Sequence, residues 1–233
     1  MSWNASSYVP ADVRDVRVTA FLSRVYGWMF LGLLLTAGTA VAVASSPVLI
    51  KTLVLNKGLL LLMIFAQVGV VIFLSVRVHK MAPATAAILF LLYSALVGVT
   101  TSIIFLVYTG TSIVSAFVIA GGMFGAMAVF GSLTKRSLAG VGQFMFMGLI
   151  GLVVAMVVNI FLFNDVLRFV ISVVGVVVFT GLTAWDAQRL KQMAVALPDG
   201  RVGAYAVVGA LSLYLDFINL FFFILRLMAG RRN

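Results

Sequence analysis

Seven long apolar runs, separated by short polar connections, set the pattern of this chain. They cover residues 25–44, 58–76, 84–108, 112–130, 144–163, 169–185 and 205–225. A helix needs about 20 apolar residues to cross the hydrocarbon of a bilayer, and each run meets or approaches that length. Apolar residues recur on every face of a run, so periodicity does not separate a wet side from a dry one. This predicts helices surrounded by lipid or by one another, and the short links leave no room for a soluble domain. Pro47 and Pro83 fall in links or at helix starts, and Pro198-Asp199-Gly200 predicts a turn before the last helix. The expectation is an all-α integral membrane protein. It has a polar arm over 1–24, one seven-helix membrane domain over 25–228 and a short basic tail over 229–233.

Composition agrees with that reading and narrows the chemistry. Hydrophobic residues make up 64% of the chain and charged residues 9%, more apolar surface than a soluble domain of this length needs. Cysteine is absent and histidine occurs once, at His79. Disulfides, thiolate metal sites and a Cys nucleophile are therefore excluded, and no Gly-x-Ser-x-Gly is present. Catalysis is not expected. The polar arm carries Asp12, Arg14, Asp15, Arg17 and Arg24, and its length and mixed charge point to a retained first helix rather than a cleaved signal peptide. Gly121-x-x-x-Gly125, with Gly122 between, predicts close helix approach.

A formal charge of +10 would suggest nucleic acid if the basic residues formed one patch. They lie between the apolar runs instead, where they report topology. With the N-terminus inside, the cytoplasmic segments hold Arg14, Arg17, Arg24, Arg77, Lys80, Lys135, Arg136, Arg189, Lys191 and Arg201. The outer loops hold Lys51, Lys57 and Arg168, and Arg226, Arg231 and Arg232 join them if the last run crosses fully. The balance favours a cytoplasmic N-terminus in an inner (plasma) membrane. The basic tail opposes it, so the last run either re-enters or crosses against a weak terminal signal. A full crossing is expected.

Against this apolar background Asp216 stands out, because 211–225 is otherwise apolar enough to enter a bilayer. An Asp at a helix centre costs about 2.5–3.5 kcal/mol or more, so it needs a partner, a water path or a bound cation. On a helix at about 100° per residue, Tyr205, Gly209 and Ser212 fall within about 40° of Asp216. Asn219 lies about 60° and Arg226 about 80° away, while Phe217, Phe221 and Phe222 point elsewhere. One side of this helix is therefore wet or faces protein, which suits a central place in the bundle. A second acid, Asp186, closes the sixth run. Taken alone it reads as an interfacial Asp paired with Arg189 at i+3, worth a few tenths of a kcal/mol. Asp216 taken alone reads either as an ion or proton site, or as a structural acid neutralised by a proton or by Arg226.

The stretch Leu213-Tyr-Leu-Asp-Phe-Ile-Asn-Leu-Phe-Phe-Phe-Ile-Leu-Arg226, with an Asp near the end of the preceding helix, resembles the Bax inhibitor-1 family. Thr134-Lys-Arg-Ser-Leu138, Met147-Gly-Leu-Ile-Gly-Leu152 and Leu182-Thr-Ala-Trp-Asp-Ala-Gln-Arg-Leu190 extend the likeness over nearly the whole chain from Arg24. The resemblance implies six helices wrapped around a central seventh, and a pH-sensitive calcium leak. It implies that Asp186 and Asp216 form the pH-sensing, ion-associated pair. Arg77 is implied as the latch for one of them, and Arg226 matches the motif's arginine. Some relatives carry a glutamate in the second helix where this chain has Gln67. Some bacterial relatives are linked to a membrane-bound AAA protease, for which residues 1–18 could be the handle.

Two acids suit a pH-sensitive leak for a physical reason. Two carboxylates in a low-dielectric site cannot both ionise cheaply, so the pair shares a proton. The same oxygens suit Ca²⁺, which takes roughly six to eight oxygen ligands. Asp186 and Asp216, helped by Asn219, Ser212 and water, fall short of a tight cage, as a conducting site must. The expected partners are the lipid bilayer, Ca²⁺ and protons, with the protease as an alternative, and the chain is expected to act as a monomer. No cofactor is expected beyond Ca²⁺ as the permeant ion, and no nucleic acid. The rival readings are a proton-coupled cation transporter, though no paired helix interruptions are visible, and an interaction protein without transport. Intramembrane aspartyl proteolysis would need motifs that are absent, since Asp186 follows Trp185 and Asp216 follows Leu215. His79, beside Lys80, reads as a solvated interfacial histidine.

Overall fold

The computed structural model describes residues 11–197 and 202–229, and within them every regular element is helical. Seven helices are long and apolar enough to cross a membrane. They are α1 (Ala11–Ala44), α2 (Lys57–Arg77), α3 (Pro83–Thr101, extended by Ile104–Val107), α4 (Gly110–Leu133), α5 (Ala139–Leu162), α6 (Asp165–Ala196) and α7 (Val202–Ala229). All seven apolar runs became helices. The main difference lies at the start: α1 begins at Ala11 and continues unbroken into the first apolar run, with Phe21 and Val25 buried. Arg17 and Arg24 break the apolar pattern without breaking the helix, because straight-chain charged residues have high helix propensity. The predicted turn at Pro198-Asp199-Gly200, and Arg201, Arg231 and Arg232, lie outside the described residues.

The helix ends follow local chemistry. Asn56, Thr109 and Asn164 cap the starts of α2, α4 and α6, their side chains accepting from Leu59, Ser112 and Leu167 N–H at 3.2, 3.3 and 2.9 Å. Asx and Thr side chains satisfy the free N–H groups of a first turn in this way. Pro83 occupies the first position of α3, where its missing N–H costs nothing. α5 ends at Phe163 in the left-handed region, φ 48°, a costly conformation for a bulky residue that ends the helix abruptly. The start of α5 lacks a local cap. Its Leu138 N–H instead donates to Gln188 Oε1 of α6 at 2.8 Å, and Gln188 Nε2 donates to the Arg136 carbonyl at 2.9 Å. One amide thus fixes the α4–α5 connection from a distant helix.

The architecture is a bundle built around the C-terminal helix. α7 packs directly on α1, α3, α4 and α6, while α2 packs on α3 and α5 on α6 as outer members. In the most apolar 18 residues of α7, 67% are buried inside the protein, against 11% in α2 and 6% in α5. The outer helices therefore present side chains such as Phe65 and Phe161 outward, as lipid-facing surfaces do. The small-residue contact expected at Gly121 and Gly125 does not occur, for nothing stands within 4 Å of where a Cβ would sit at either. Close approach happens at Gly131 and Gly142 instead. A Cβ at Gly131 would collide with the Ala184 carbonyl, and one at Gly142 with the Trp185 ring. Both contacts hold α6 in register beside α4 and α5.

Candidate functional site

Asp186 and Asp216 lie inside the bundle, with 7% and 5% of their surfaces exposed. α6 and α7 form an extensive interface, and its register makes the two carboxylates electrostatic neighbours, with the Arg189 guanidinium acting on both. Asp186 lies ten residues, roughly 15 Å, before the end of α6, and its burial makes it a core residue of the bundle. Arg189 is the i+3 partner that the sequence suggested, with Nε 3.7 Å from Asp186 Oδ1. Its guanidinium also stacks on the Trp185 ring, 5.1 Å from the centroid, and reaches Ser212 Oγ of α7 at 3.5 Å. The Ser212 hydroxyl in turn donates to Asp186.

This cluster is incompletely satisfied. Asp186 Oδ1, Asp216 Oδ2 and Arg189 Nε are buried without a hydrogen-bond partner. The Asp186–Arg189 contact is an ion pair too long for a good hydrogen bond. With both acids ionised the three groups carry one uncompensated negative charge. A single proton, or a divalent cation displacing Arg189, would neutralise that excess. Buried carboxyl oxygens without partners are costly, and a proton or a metal ion would relieve that cost. Among the described residues, no three His, Cys, Asp or Glu side chains converge on one point. The donor set is thus a pair of acids with the Ser212 hydroxyl beside them. It fits a transient Ca²⁺ but falls short of a cage.

The other residues singled out in the sequence lie elsewhere. Asn219 turns back on its own helix, Nδ2 donating to the Leu215 carbonyl at 2.8 Å. Arg226 is exposed about 15 Å further along α7. There it stacks on Phe223 and shares a pocket with Arg168 and Asn159 at the far ends of α5 and α6. It therefore does not neutralise Asp216, and its position at that face follows from an α7 that runs without interruption. Arg77 is exposed over the Phe73 ring of its own helix, 6.0 Å from the centroid. It is not among the charges acting on either acid, because the body of α2 is an outer helix packed on α3. The guanidinium beside the acids belongs to Arg189. Gln67 Nε2 donates to the Leu96 carbonyl at 3.2 Å and to Thr100 Oγ1 at 3.0 Å, joining α2 to α3 away from the acids. The His79 side chain lies outside the described residues.

A second buried polar group went unnoticed in the sequence. Tyr214 is fully buried; its hydroxyl lies 2.6 Å from Thr36 Oγ1, which donates to the Ser94 carbonyl at 2.9 Å. Ser94 Oγ donates to the Phe90 carbonyl at 2.9 Å, and the Phe90 and Tyr93 rings meet Tyr214 edge-on. Thr36 and Ser94 are common in membrane helices, so nothing in the chain announced their meeting.

An acid from each of the last two helices is buried in the core of this seven-helix bundle, close enough for one to act electrostatically on the other. The sequence pattern of the family described as inhibitor of apoptosis-promoting Bax1 matches residues 18–233. The chain belongs to the Bax inhibitor-1 family. Its relatives in that family include the inner membrane protein YbhL of Escherichia coli (strain K12), 46% identical over 91% of this chain and 92% of the relative. An uncharacterized protein of Borreliella burgdorferi is 44% identical over 91% of this chain and 93% of its own length. Protein RP147 of Rickettsia prowazekii is 40% identical over 94% and 93%. All three align along nearly their full length, so the family assignment covers α1 to α7.

Proposed function

We propose that this protein is a pH-sensitive calcium leak of a bacterial inner membrane, with its N-terminus cytoplasmic and the Asp186–Asp216 pair as its ion and proton site. The observation that carries the reading is the electrostatic imbalance of the buried cluster: two acids, one guanidinium, and carboxyl oxygens without partners. Protons and Ca²⁺ compete for those oxygens. Lowering the pH fills the site with protons and weakens Ca²⁺ binding. Arg189 acts as the resident cation, tethered through Trp185 and Ser212, and Ca²⁺ must displace it to reach Asp186. A site that trades one cation for another holds neither too firmly, which conduction requires.

Ca²⁺ flux from proteoliposomes, measured across pH for the wild type, Asp186→Asn and Asp216→Asn, tests this. The reading expects a pH-dependent flux in the wild type and loss of that dependence in both variants. Unchanged flux and unchanged pH response in both would reject it. A counterflow arm separates the leak from a proton-coupled transporter: internal Ca²⁺ stimulates uptake of labelled Ca²⁺ only in the transporter.

A further inference from the structure

At the end of the bundle where α4 and α5 are joined, α1, α6 and the α4–α5 connection enclose an open cleft of about 620 Å³. Lys135, Arg136 and Lys191 line it, with the hydroxyls of Thr134 and Ser137, and among the described residues Asp15 is its one acid. The cleft is built rather than incidental. Gln188 holds the backbone on both sides of Ser137, and Lys191 Nζ donates to the Ser132 carbonyl at 2.8 Å. Ser132 is also where a second depression begins, about 390 Å³ in volume, running down α4 past Leu133, Val129 and Ala128 to Gly125 and Phe124. This groove is almost wholly apolar, and Gly125 leaves its floor open where a side chain would fill it. From Ser132 to Gly125 it extends about 10 Å toward the bilayer centre.

A cationic cleft at the end of the bundle, adjoining at Ser132 an apolar trough that runs on along α4 beside Tyr26, matches one kind of molecule. We propose that this cleft and groove hold a single anionic phospholipid, its phosphate against Lys135, Arg136 and Lys191 and one acyl chain along the α4 groove. Basic pockets between helices at the membrane surface recognise anionic headgroups by this charge arrangement. The apolar half distinguishes a lipid from free phosphate, which would need only the cleft. The site is independent of the Asp186–Asp216 reading and stands whether or not the protein conducts.

Native mass spectrometry of the full chain, released from detergent containing equal amounts of phosphatidylglycerol and phosphatidylcholine, reads the proposal directly. The wild type should retain one phosphatidylglycerol in preference to phosphatidylcholine. Lys135→Gln/Arg136→Gln removes two exposed charges that no core contact depends on, and should reduce that preference by about thirtyfold. Gly125→Leu fills the groove and should reduce retention with the charges intact. Lys51→Gln/Lys57→Gln, at the other end of the bundle, should leave it unchanged. Equal preference in the wild type and the Lys135/Arg136 variant would overturn the proposal, as would an equal loss in the Lys51/Lys57 variant. Displacement of the lipid by millimolar inorganic phosphate, or a Gly125→Leu variant that retains lipid like the wild type, would identify a phosphate cleft and overturn the lipid assignment. Matching thermal unfolding of the variants guards against loss of fold.

Discussion

Tyr214 and Asp216 are two residues apart on the same central helix, and their surroundings could hardly differ more. Around Tyr214, the hydroxyls of Thr36 and Ser94 and the backbone carbonyls of α3 form a closed chain of hydrogen bonds, with none of those hydroxyls left over. Around Asp216, three buried polar atoms have no hydrogen-bond partner. The first group links α1, α3 and α7 and behaves as glue. With both acids ionised, the second carries a charge that its neighbours do not cancel, an arrangement that costs stability. Burial alone therefore does not separate these two polar groups; the degree of hydrogen-bond satisfaction does.

Removing the acid should reverse the usual effect of a core mutation. Asp216→Asn is expected to lower Ca²⁺ affinity by at least about ten- to a hundred-fold while raising stability by about 2 kcal/mol, since a costly buried charge is gone. Equilibrium Ca²⁺ binding and thermal unfolding in the same detergent check both halves. Arg189→Gln comes next: Ca²⁺ should bind more tightly because its resident competitor is absent. Stability should fall by about 1–2 kcal/mol, a modest figure because the guanidinium is partly exposed. Tyr214→Phe should do the opposite of Asp216→Asn, losing about 0.6–1.7 kcal/mol with Ca²⁺ binding and pH response unchanged. The smallest effect belongs to Arg77→Gln, expected within about 0.5 kcal/mol of the wild type with its pH response intact. A lost pH response in that variant would support a latch role for Arg77.

The helices were legible because lipid imposes a simple rule: a span must be apolar over a fixed length, and the seven runs obeyed it. The central place of α7 was legible from Asp216 and the small or polar residues on its side, Gly209 and Ser212. What could not be read was which polar residues meet. Gly121 and Gly125 looked like a packing motif, yet on α4 the close contact falls at Gly131, because helix rotation is decided by whole surfaces rather than by spacing. Arg77 and Arg189 are both cations near helix ends. The outward turn of Arg77 over Phe73, and the packing of α6 against α7, decide which one reaches the acids. Gln188 carried no signal at all, since its partners are backbone atoms 50 and 52 residues away.

The central claim is that Asp186 and Asp216 form one titrating unit that exchanges protons for Ca²⁺. Infrared titration of the protonated-carboxyl C=O stretch, in lipid and with and without Ca²⁺, observes that unit directly. The account predicts two separated protonation steps in the wild type, both moved to lower pH by Ca²⁺, and a single step in Asp186→Asn and in Asp216→Asn. Two overlapping titrations, each unaffected by loss of the other acid and by Ca²⁺, would contradict it.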